Sequence, residues 1–66
     1  MVAAGDISKN DTVVEIGPGR GVLTEALLER AGRVLAIEKD AGLAEFLREK
    51  FATEIENKKL ILICGD

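Results

Sequence analysis

Val13-Val14-Glu15-Ile16-Gly17-Pro18-Gly19-Arg20-Gly21 carries an apolar strand straight into a glycine loop. The loop opens into Val22-Leu23-Thr24-Glu25-Ala26-Leu27-Leu28, where apolar residues recur at helical spacing. A second strand, Arg33-Val34-Leu35-Ala36-Ile37, then delivers Glu38 about twenty residues beyond the first glycine. Strand, glycine turn, helix, strand and terminal acid form the layout of a nucleoside-cofactor site in a βαβ unit. Backbone amides and one carboxylate do the binding there.

Outward from this unit the same reading continues. Residues 1–11 read as the tail of an element followed by a turn, with Gly5, Asp6, Ser8, Asn10 and Asp11 as turn formers. Thr12–Ile16 is the first strand and residues 21–31 the first helix, with Leu23, Ala26, Leu27 and Ala31 expected on its buried face. Gly32 is expected to close that helix as a C-terminal glycine. Asp40 suits the N-cap of a second helix buried through Leu43, Leu47 and Phe51. Residues 52–58 read as a polar connection, and Leu60-Ile61-Leu62-Ile63-Cys64 as a third strand. The expected fold is α/β, in the order β-α-β-α-β, with a parallel three-stranded sheet.

Right-handed crossovers that step the same way place both helices on one face of such a sheet. Its other face would then be bare valine, leucine and isoleucine, and the first strand an unpaired edge. The chain is therefore expected to be the N-terminal part of a larger domain, or to need a partner over that face. Its 66 residues allow one domain at most, and a chain of that size buries only about 60% of its unfolded surface.

Composition excludes several classes. Lys and Arg number 9 against 12 Asp and Glu, so the net charge of −3 gives no electrostatic reason to hold a nucleic-acid backbone unaided. Cys64 is the single cysteine and there is no histidine, which rules out an internal disulfide and leaves little for a metal. In an apolar strand Cys64 reads as core rather than nucleophile. No signal-peptide pattern is present, and no apolar run approaches the ~20 residues that cross a bilayer. The expected location is the cytoplasm, without a membrane.

The loop discriminates between cofactors. Gly17, Gly19 and Gly21 make G-x-G-x-G, whereas the dinucleotide fingerprint needs a small residue where Val22 stands. A glycine turn alone also serves simply to pack a strand against a helix. Glu15, two residues before the loop, is a poor neighbour for a pyrophosphate and suits a ligand with a cationic amino group. S-adenosylmethionine has an ammonium, a sulfonium and no phosphate, and its carboxylate suits the amides at a helix N-terminus. The same position also fits a residue that braces the loop. Glu38 is placed to accept from both ribose hydroxyls and to repel a 2′-phosphate, or else to pair as an exposed charge with Lys39. Asp66, just past Gly65, is placed to accept from an adenine amino group. Arg20 carries no assigned role.

The run VVEIGPGRGVLTEALLERAGRVLAIEKD, with the closing LILICGD, resembles the ribosomal RNA adenine dimethyltransferase family. That family includes small-subunit enzymes and the erythromycin-resistance methylases. EIGPGRGVLT is the specific part, because few methyltransferases follow G-x-G-x-G with this proline and G-x-L-T. The resemblance spans residues 12–66 and implies a Rossmann-like class I methyltransferase fold. It places the S-adenosylmethionine loop on Glu15, Gly17, Pro18, Gly19 and Gly21, the ribose acid on Glu38 and the adenine acid on Asp66. It implies dimethylation of N6 on two adjacent adenosines of small-subunit rRNA, with the pre-ribosomal subunit as partner.

The family's cofactor-closing segment and its N-(L/I)-P-(Y/F) target-adenine motif do not occur within residues 1–66. Neither does its helical C-terminal domain. No catalytic residue is assigned, and the expectation is a partial cofactor-binding domain, inactive alone. Two rivals remain open at this stage: a non-catalytic RNA-associated assembly factor of the same fold, and a nicotinamide-dependent oxidoreductase. Val22 and Glu15 disfavour the second.

Overall fold

In the computed structural model, residues 7–65 are described. Their elements are β1 (Thr12–Ile16), α1 (Val22–Arg30), β2 (Arg33–Glu38), α2 (Ala41–Lys50), α3 (Ala52–Glu56) and β3 (Leu60–Cys64). The sheet is parallel, in the order β1-β2-β3, with Val13 opposite Val34 and Val34 opposite Leu60. All three strands have the bounds expected from their β-branched and aliphatic runs.

Alternation along the strands decides which side chains reach the core. Val13, Val34, Ala36 and Leu60 point to one face and are buried against Leu27 and Ala31 of the α1 side and Leu47 and Phe51 of the α2 side. Each fully buried side chain of leucine or valine size contributes ~1.5–3 kcal/mol. The alternate residues face away. Val14 is 57% exposed and Ile16 74%, with Ile61 and Ile63 also exposed. Among the described residues the helices cover one side of the sheet only.

Four local features depart from the sequence expectation. Cys64, read as core, is exposed at the end of β3. The buried stripe of α1 runs through Thr24, Leu27 and Ala31 with half-buried Leu28, while Leu23 and Ala26 are exposed. Thr24 turns inward because its hydroxyl finds a carboxylate on the sheet, and that rotates the helix away from the purely apolar choice. Residues 52–56 are helical rather than a polar connection. The N–H of Phe51 donates to the Leu47 carbonyl and that of Ile55 to the Phe51 carbonyl, so hydrogen bonding runs on through the seam while Ile55 packs on the core.

Gly32 does not cap α1 through a left-handed turn; the cap, Ala31, is extended at φ −87° and ψ 159°. The need for glycine is a close approach. A Cβ on Gly32 would stand 2.0 Å from the Lys9 carbonyl oxygen, and the Asp11 carbonyl accepts from the N–H groups of both Gly32 and Arg33. Asp40 does cap α2 as expected, its Oδ1 accepting from the Leu43 amide at 3.0 Å.

Candidate functional site

The carboxyl ends of parallel strands gather the chemistry in open α/β sheets. Here they edge an open cleft of about 310 Å³ lined by Ile16, Gly17, Ile37, Glu38, Lys39 and Gly65. Its walls are largely aliphatic, and Glu38 supplies a carboxylate. Gly17 and Glu38 of the expected site thus meet in one cleft. Asp66 lies outside the described residues.

Glu38 is buried, at 5% exposure. One oxygen, Oε1, accepts from the Gly19 amide at 3.0 Å, and the other, Oε2, from the Asp40 amide at 3.0 Å. The carboxylate therefore ties the loop after β1 to the loop after β2. It is not an exposed charge, and its bonds go to backbone amides rather than to Lys39. A carboxylate offers about four acceptor sites, so each oxygen retains capacity for one further donor.

The glycine loop is closed by its own bonds. The Gly17 amide donates to the Ile37 carbonyl at 2.8 Å and the Gly21 amide to the Pro18 carbonyl at 2.9 Å, while Gly19 is held by Glu38. All three glycine amides of G-x-G-x-G are thus committed within the protein. Pro18 is buried at the base of the turn. Gly21 has φ 86°, and a Cβ there would stand 2.7 Å from Phe51 Cε2, so the residue must be glycine for both conformation and space. The first-turn amides of α1, which follow directly, have no intrahelical acceptor.

Glu15 does not line the cleft. It is buried on the helix-covered face, and its Oε1 accepts from Thr24 Oγ1 at 2.5 Å. Thr24, wholly buried, is the residue of this site that sequence reasoning passed over, although it ends the G-x-L-T run. Lys39, which the sequence offered as an ion-pair partner for Glu38, is instead exposed on the cleft wall. Among the described residues no group of three or more His, Cys, Asp or Glu is arranged to hold a metal. No helix of those residues is long and apolar enough to cross a membrane.

Comparison with known proteins places this geometry. The family described as ribosomal RNA adenine dimethylase matches residues 1–66. A ribosomal RNA small subunit methyltransferase A from Dehalococcoides mccartyi is 57% identical over 51 residues, which is 77% of this chain and 18% of that relative. Among solved structures, the 23S rRNA methyltransferase ErmE superposes with a TM-score of 0.80 at 34% identity, over 92% of this chain and 24% of that one. A dimethyladenosine transferase from Plasmodium falciparum gives a TM-score of 0.81 at 35% identity, over 96% and 22%. The chain spans about a fifth of the length of the relatives it matches.

Proposed function

The chain belongs to the ribosomal RNA adenine dimethylase family, and on that premise we propose that it supplies the S-adenosylmethionine-binding strands of an rRNA adenine N6-dimethyltransferase. Residues 1–66 are read as part of the cofactor-binding domain of that enzyme, with small-subunit rRNA as the substrate and the cytoplasm as its place of work.

One observation carries the choice of cofactor. A dinucleotide needs loop amides to cradle its pyrophosphate, but here the amides of Gly17, Gly19 and Gly21 already have protein acceptors. What remains suits a ligand without phosphate. The unused acceptor capacity of Glu38 fits the two ribose hydroxyls, and the aliphatic wall of Ile16 and Ile37 fits a nucleoside face. The first-turn amides of α1 fit the ligand's carboxylate. Glu15, although it does not line the cleft, braces the end of β1 through Thr24 and lends the strand end a negative charge that favours an ammonium. Pro18 and Gly21 shape the turn, and Asp66 is assigned the adenine amino group from its place after β3.

When bound, S-adenosylmethionine supplies an electrophilic methyl group. The residues of this chain bind and orient it; the groups that grip the target adenosine are not assigned to any residue here. The test uses a polypeptide of the relatives' length that carries this chain, with labelled S-adenosylmethionine and unmodified small ribosomal subunits. Label at adenosine N6 is expected. A chain that binds NAD in preference to S-adenosylmethionine, or a polypeptide that transfers no methyl group, would sink the reading.

A further inference from the structure

The glycine loop is gripped from two sides by groups of opposite charge. On the cleft side the Glu38 carboxylate takes the Gly19 amide. From another element Lys50, in the last turn of α2, donates from Nζ to the Arg20 carbonyl at 3.0 Å. We infer that Lys50 is a positioning residue, which holds the loop in its ligand-binding shape through that carbonyl.

The ammonium sits in a built environment. It lies 5.4 Å from the centroid of the Phe51 ring and 5.8 Å from that of Phe46, and 3.9 Å from Glu25 Oε2. Two π-faces, a carbonyl and a carboxylate thus converge on it from α2 and its C-cap, the loop and α1. Aromatic faces attract a cation, and the C-terminal end of α2 favours positive charge. The side chain is 28% exposed, so the ammonium is partly desolvated and restricted in direction.

The Arg20 peptide is the part of the loop that most needs such a hold. It is flanked by Gly19 at φ 61° and Gly21 at φ 86°, both in a region where the backbone has no neighbouring side chain of its own to restrain it. The Arg20 guanidinium stacks over Phe46 at 5.5 Å, so side chain and carbonyl of one residue are both drawn to the same α2 surface. Removing the ammonium frees the apex while leaving the rings and the packing of Gly21 against Phe51 in place.

Amide hydrogen exchange on the full chain, resolved by residue with NMR, tests this directly. Lys50→Met and Lys50→Gln keep the aliphatic stem; Lys50→Arg keeps the charge. A lost hydrogen bond to a charged, partly exposed donor predicts exchange roughly three- to tenfold faster at Gly19 and Gly21 in the first two variants. Wild-type rates are expected in Lys50→Arg, and at Val34 and Ala36 in all variants. Unchanged rates at Gly19 and Gly21 overturn the proposal, as does a uniform rise that includes β2. The consequence for the ligand rests on the cofactor reading and is measured apart. In a polypeptide of the relatives' length, Lys50→Met should raise the KM for S-adenosylmethionine several-fold with little change in kcat. A kcat loss at constant KM would overturn the positioning role. Absence of methyl transfer in the wild type would instead sink the cofactor reading and leave the exchange result standing.

Discussion

Thr24 donates its hydroxyl proton to Oε1 of Glu15 across 2.5 Å, and both side chains are buried. A hydrogen bond to a carboxylate in low-dielectric surroundings is stronger than one between neutral groups. Thr24→Val keeps the shape and removes the donor, leaving a buried charge with one partner fewer. The expected loss is ~1.5–3 kcal/mol of stability, with Thr24→Ser much closer to wild type. Urea titration followed by far-UV circular dichroism reads both; a Thr24→Val protein as stable as wild type would show that the bond contributes nothing.

Glu38 holds two amides with two oxygens, a task glutamine cannot perform. In Glu38→Gln one of the two N–H groups must face an NH₂, so the loop after β1 or the loop after β2 is released. We expect ~1–3 kcal/mol of local destabilisation and a shift of the Gly19 or Asp40 amide resonance. In a polypeptide of the relatives' length, affinity for S-adenosylmethionine should fall by about tenfold or more, as for a lost charge-assisted pair. Calorimetry showing equal affinity would remove Glu38 from the binding site.

Gly32 is required by space rather than by dihedral angle. The Lys9 carbonyl that an added methyl group would meet is backbone and cannot rotate aside. Gly32→Ala should cost about 3 kcal/mol, the upper end for forced overpacking, and should broaden resonances of residues 8–11, whose turn includes the Asp11 amide bonded to the Ser8 carbonyl. A thermal midpoint unchanged by this substitution would contradict the close approach.

Lys58 adopts φ 63° in the turn before β3, the one positive-φ residue other than glycine among those described. The left-handed conformation costs a residue with a Cβ ~1–2 kcal/mol, and glycine loses part of that gain through its extra freedom when unfolded. Lys58→Gly is expected to raise stability by up to ~1 kcal/mol. Its backbone carbonyl, which accepts from Arg33 Nε at 3.3 Å, is retained. A lower melting midpoint in the variant would refute this.

The strands and the Asp40 cap were legible because their signals are local: β-branched runs set a period of two, and one carboxyl side chain satisfies one orphan amide. Glu38 was placed correctly at a strand end, yet its grip on the Gly19 amide depends on how two loops meet, which no linear pattern encodes. The face of α1 was misjudged because Leu23, Leu27 and Leu28 support two phases equally well, and a buried hydroxyl decided between them. Gly32 had a helix-terminal position and a different reason for it, visible only once the Lys9 backbone was in place. The short helix over residues 52–56 was hidden by polar composition, with Ile55 alone turned inward.

The uncovered aliphatic side of the sheet has a practical consequence for anyone assaying this molecule. Dyes that brighten on apolar surfaces usually report a loosely packed, partly collapsed state. In residues 1–66 by themselves, Val14, Ile16, Ile61 and Ile63 offer such dyes a landing area on the uncovered face of a folded sheet. With no tryptophan or tyrosine in the chain, near-ultraviolet dichroism is almost blind to its packing, so a bright dye signal would be misread as disorder. Methyl resonances of Val34 and Leu47, both sealed in the interior, are the honest reporters of whether the protein is folded.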